Sequence, residues 1–152
     1  MDEVSAEEQL AGFLSKYAPE IAARARTILA KMRAQLPGAV ELVYDNYNAL
    51  AIGFGPTERT SDVVFSIAVF PRWVSLFFMH GTRLPDPQHI LTGKGKTARH
   101  IVLHTPDAFD APAVQTLMAH ALKRASKPFD PTRGNRIVIK SISARQRPRR
   151  RA

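Results

Sequence analysis

Apolar side chains recur along the first forty residues at helical spacing. Leu10, Phe13, Leu14 and Tyr17 form one stripe of a helix predicted over residues 5–17. Ser5 and Glu8 have the spacing of a capping box, in which side chains satisfy the free amides of a helix start. Pro19 suits the first turn of a second helix, where a missing amide costs nothing. Ile21, Ala25, Ile28, Leu29, Met32 and Leu36 keep the 3.6-residue period until Pro37-Gly38 stops it. Both helices are amphipathic and need a surface to cover.

From residue 40 the pattern changes to alternation and short apolar runs. Residues 40–47, 50–54, 63–70 and 73–79 read as strands. Asn48 separates the first two and Pro71-Arg72 the last two, and joins this tight favour antiparallel neighbours in a meander. A fifth strand is predicted over 100–104, after a Gly-Lys loop. Asp110 is placed to cap a third helix with Pro112 at its start, and Val114, Leu117, Met118, Ala121 and Leu122 give that helix one buried face. Residues 136–142 alternate again and make a sixth strand. The expected fold is α+β: a single domain over residues 1–144, with an antiparallel sheet of five to six strands. The N-terminal helices and the later helix cover one face of that sheet. Residues 145–152, Arg-Gln-Arg-Pro-Arg-Arg-Arg-Ala, have no apolar surface to bury and are expected to form a basic flexible tail.

Composition narrows the chemistry. At 152 residues the chain can bury about 68–70% of its unfolded surface, so it needs no covalent staple. Cysteine is absent, which removes disulfides, thiolate catalysis and zinc–cysteine or iron–sulfur sites and suits a cytoplasmic protein. No apolar run is long enough for a membrane span, and the acidic start Met-Asp-Glu-Val-Ser does not look like an export signal. The net charge of +9 is unevenly placed. Eight basic residues follow Thr132 and no acid follows Asp130, so residues 1–132 are almost neutral.

The run Phe70-Pro-Arg-Trp-Val-Ser-Leu-Phe-Phe-Met-His-Gly81 resembles the signature strand of the YdhG-like family, domain of unknown function 1801. Asp86-Pro-Gln-His-Ile-Leu91, Gly93-Lys-Gly-Lys96 and Arg99-His-Ile101 follow in that family's order. Glu41-Leu-Val-Tyr-Asp-Asn-Tyr47 and Ser141-Ile-Ser-Ala-Arg-Gln-Arg-Pro-Arg-Arg150 resemble one bacterial subgroup of it. The resemblance implies a compact α+β domain, frataxin-like in shape, with no assigned catalytic residues. That strand often carries His in the family where this chain has Trp73, so no ligand role transfers to that position.

The candidate chemistry is sparse. Gly93, Lys94, Gly95, Lys96, Arg99 and His100 could cradle an anion, with glycine amides turned to a ligand and cations around it. The competing reading is a solvated glycine turn. The loop is no Walker A motif, because Ile90 stands where its first glycine belongs, and it is no dinucleotide fingerprint, because it precedes a strand. His100 and His104 would lie about 13 Å apart along a strand, too far for one ion, and no His-x-His or Glu-x-x-His pair occurs. Asp2, Glu3, Glu7 and Glu8 resemble the acidic first helix of frataxin-shaped iron chaperones, and acids at a helix start also serve its dipole. Ser66 and Ser75 lack a nucleophile's setting. Tyr44, Tyr47, Phe70, Trp73 and Phe77 are expected mostly in the core. Arg145, Arg147, Arg149, Arg150 and Arg151 form a polycation able to attract nucleic acid without reading its sequence, or simply a solubilising end. The expectation is a non-catalytic domain without a cofactor, binding an anionic small molecule or acidic partner at the Gly-Lys loop. The alternatives are weak nucleic-acid association through the tail, and iron handling by the N-terminal carboxylates.

Overall fold

The computed structural model describes residues 4–150. The Glu8 amide donates to Ser5 Oγ at 3.1 Å, and helix α1 spans Ala6–Ser15 with Leu10, Phe13 and Leu14 buried. Helix α2, Pro19–Gln35, begins on its proline and buries Ile21, Ala25, Ile28, Leu29 and Met32. Gly38 then turns at φ 83°, where an added Cβ would run into the Asp130 carbonyl, so only glycine fits. Strands follow as β1 (Val40–Asp45), β2 (Leu50–Gly55), β3 (Phe65–Val69), β4 (Val74–Phe78) and β5 (Arg99–Val102). Helix α3 (Pro112–Lys123) and strand β6 (Arg136–Ile142) close the chain. Among the described residues no helix is long and apolar enough to cross a membrane.

The sheet order is β5-β4-β3-β2-β1-β6. The first five strands form the expected antiparallel meander, but β6 runs parallel to β1, so the sheet is mixed. Alternation marks a strand without naming its partner. The long connection through α3 is what lets β6 return in the same direction as β1. The register row Val43–Ile52–Ile67–Leu76 lies in one core with all three helices. On the opposite face Val40, Leu42 and Val63 make a small cluster that contains no helical residue. The start of α3 differs from expectation. Ala111 is its N-cap without a side-chain bond, and Asp110 instead pairs with Lys31 of α2 at 2.5 Å. A short 3-10 turn over Pro106–Asp110 carries Asp110 away from the capping position.

Tyr17, just past α1, pins the helical layer to the sheet. Its hydroxyl donates to the Val69 carbonyl at 2.7 Å and accepts from the Leu50 amide at 3.1 Å, bridging β3 and β2. Burial pushes the phenol up to about 12, against the pull of the Arg149 guanidinium and the Leu50 N–H. Because the folded value is raised, this contribution is intact below about pH 10 and is lost as pH climbs through 12. Tyr17→Phe leaves the Leu50 amide without its side-chain partner. It is expected to lower unfolding free energy by about 1–3 kcal/mol in urea titrations and to remove this alkaline loss.

The expected mobile tail is corrected for residues 145–150. Arg149 is 4% exposed, and its Nη2 lies 3.0 Å from Asp45 Oδ1 and 2.5 Å from the Asn46 carbonyl. Nη1 donates to the Tyr47 carbonyl at 3.2 Å, and the guanidinium lies over the Tyr17 ring. Asp45 is fully buried and also takes Lys16 Nζ at 3.3 Å. Gln146 bonds the Asp45 carbonyl, while Arg150 donates to the Ser15 and Lys16 carbonyls at 3.0 Å each. Those carbonyls have no partner within α1, so Arg150 closes that helix end. A buried aspartate and an open helix terminus hold the segment, neither of which its composition reveals. Arg151 lies outside the described residues.

Candidate functional site

A partly enclosed cavity lies where three elements end. A 3-10 turn over Thr60–Asp62 follows β2, a second over Gly81–Arg83 follows β4, and α3 finishes at Lys123. Backbone bonds fix these turns. The Val64 amide returns to the Phe54 carbonyl, the Leu84 amide to Gly81, and the Thr82 amide to Thr97, at 2.9, 3.1 and 3.0 Å. Gly81 is required where it stands, because a Cβ there would lie 2.9 Å from the Arg99 backbone nitrogen. Between the turns is a space of about 440 Å³.

Its walls divide by chemistry. Val63, Val64, Phe78, Leu84, Ala121 and Ala125 give apolar surface, of which Val63, Val64, Phe78 and Ala121 are buried. His80, Arg83 and Arg124 stand exposed around it, and none of the three has an ion-pair partner among the described residues. The one carboxylate in the lining is already occupied. Asp62 accepts from Thr57 Oγ1 at 2.6 Å and Ser126 Oγ at 3.2 Å, and Lys127 Nζ lies 3.6 Å away. The Thr57 hydroxyl, with Ser126, Lys127 and Arg59 in support, holds Asp62 below the usual carboxylate range. Ser126 thereby ties the end of α3 to the first turn. Apolar surface with a few convergent polar groups, at this volume, is the usual make-up of a small-molecule site.

Compared with known proteins, the chain matches no family model, no curated sequence and no solved structure.

The Gly-Lys loop packs beside this cavity without lining it. Arg99 turns back into the loop, donating from Nη1 to the Gly95 carbonyl at 2.6 Å and the Ala98 carbonyl at 2.7 Å. The loop therefore folds around a cation of its own. Of the six residues expected to cradle an anion, Gly93 and Gly95 serve the turn and Arg99 is engaged, leaving Lys94 and Lys96 as the exposed charges. His100 stacks on Phe77 at 4.8 Å, with Nε2 3.2 Å from Thr92 Oγ1, so one ring nitrogen has a partner in its own hairpin.

The other candidates are dispersed. Glu7 spends both oxygens on Arg33, at 3.0 and 3.2 Å, and Arg33 grips buried Glu41 at 2.8 Å twice. The N-terminal carboxylates therefore include one already neutralised; Asp2 and Glu3 lie outside the described residues. Among the described residues no three His, Asp or Glu side chains gather where an ion could be held. The aromatics are less buried than expected. Tyr47 and Trp73 are 46% and 39% exposed, and Tyr44, Phe70 and Phe77 are half-buried. Sequence reasoning missed His80, Arg83 and Arg124. Only the strand end at Met79 and the helix end at Lys123 hinted that basic residues follow two elements at one end of the fold.

Proposed function

We propose that the protein is a binding module for a small organic anion, taken into the cavity between the two 3-10 turns and the end of α3. The observation that carries this reading is the pairing of apolar walls with three basic side chains that no carboxylate neutralises. The apolar part of a ligand would displace water from the half-buried Leu84 and Ala125, while its carboxylate or phosphate would meet Arg83 and Arg124. Arginine suits that task because its planar fork matches such groups with two parallel bonds.

Isothermal titration with phosphate monoesters and carboxylates, phenyl phosphate and octanoate among them, tests the reading. Arg83→Ala and Arg124→Ala are each expected to weaken binding about tenfold, the worth of one charge-assisted contact at a partly open site. Lys94→Ala with Lys96→Ala should leave affinity unchanged. Equal affinity of the Arg83/Arg124 double variant and the wild type, or no binding by any of these anions, would overturn it.

A further inference from the structure

A second concavity, at the opposite end of the sheet, has different chemistry. It lies between the β3–β4 turn, the β1–β2 turn and the docked C-terminal segment, and encloses about 590 Å³. Phe70 and Trp73 line it as a stacked pair, with centroids 4.6 Å apart and planes within 17°. Trp73, at 39% exposure, keeps ring surface open to solvent. Arg72, Arg147 and Arg150 line it as well, and no acidic side chain does. Arg147 lies over the ring of Tyr47, whose exposed side chain stands beside the same segment, and its amide bonds the Tyr47 carbonyl at 2.9 Å. Asp45, at the end of β1, is buried against Arg149 and Lys16.

We propose that this groove binds single-stranded nucleic acid. As a linear sequence the arginine-rich end lacks interleaved aromatics, but docking places it against Phe70, Trp73 and Tyr47. Flat aromatic faces beside a row of arginines suit a chain that alternates bases with phosphates, because every base offers a π-face and every linkage a charge. Charge complementarity favours a polyanion, and the open face of Trp73 favours one that carries rings. Arg149 takes no part, being spent on Asp45; Arg72, Arg147 and the outer edge of Arg150 meet phosphate. The preference is for unpaired strands, since stacked duplex bases cannot reach Trp73.

Trp73 is the only tryptophan of the chain, so its fluorescence reports this groove alone. Titrating the full protein with an oligothymidylate of about ten nucleotides, a length within one ordinary single-strand site, should quench it saturably. Three neutralised phosphates give a log–log salt slope of about −2, roughly a twentyfold loss of affinity between about 50 and about 200 mM salt. By anisotropy of a labelled strand, Trp73→Leu and the double variant Arg72→Ala/Arg147→Ala should each weaken binding about tenfold or more. Both sets of side chains are exposed, and unchanged melting of each variant confirms that the fold survives. Equal quenching and competition by poly-glutamate would show an acidic protein surface as the partner and overturn the proposal. So would an absence of quenching, or wild-type affinity in both variants.

Discussion

Arg149→Ala is expected to lower unfolding free energy by about 3 kcal/mol, the lower end of the cost of breaking a buried ion pair, because Lys16 still reaches Asp45 from the half-exposed side. Asp45 has no exposed side-chain surface and Arg149 only 3%, so solvent cannot stand in for the missing guanidinium. The same change frees the Asn46 carbonyl and leaves the Tyr47 carbonyl with the Arg147 amide alone. Arg149 Nε has no partner, so the clamp is incomplete even in the native state. For a domain of this size the loss should lower Tm on the order of 10 °C. Removing residues 145–152 should destabilise at least as much, since Gln146 and the Arg150 cap go with it, whereas loss of a free tail would leave melting unchanged. Calorimetry of the two variants decides between them.

A comparable effect, with a pH signature, is expected from Arg33→Met. Glu41 is fully buried on β1 and Arg33 supplies two of its bonds from α2. Burial pushes the Glu41 carboxyl up, and the Arg33 fork pulls it back without cancelling the rise. Without Arg33 only the upward push and the like charge of Glu7 remain. The folded value then lies well above that of the unfolded chain, so stability is retained below about pH 4.3 and falls as pH rises through the folded value. The expected loss is about 3–5 kcal/mol at neutral pH, narrowing as the solution is acidified. A second change, Glu41→Leu in the same chain, should recover most of it, because an apolar pair can replace a buried ionic one. Urea unfolding across this pH range checks both the size and the sign.

The helices were legible because each shows its stripe, and α2 buries the residues its period selects. The strands were legible to within a few residues, and β6 was bounded as found. Pairing was readable only where joins are short; β6 lies across a long connection, and nothing local states that it meets β1 in parallel. The burial of Asp45 and Glu41 is not evident from residue type, because carboxylates near strand ends usually face water. A signal was present: both share the parity of Val43, which faces the helices, so two charges on an inward parity demand cations. Arg33, Lys16 and Arg149 supply them. Adjacent glycines and lysines in the sequence point to residues 93–96 as an anion cradle. The cavity proposed to take an anion is built instead from residues 61–64, 78–84 and 121–126, which only the assembled sheet and α3 bring together.

Amide chemical-shift mapping of the labelled protein with phenyl phosphate tests that assembly most directly. Binding in the cavity should shift the amides of residues 61–64, 80–84 and 121–126 together, saturating with one dissociation constant and leaving 93–96 nearly still. Shifts confined to the Gly-Lys loop, or none at all with this anion at millimolar concentration, would contradict it.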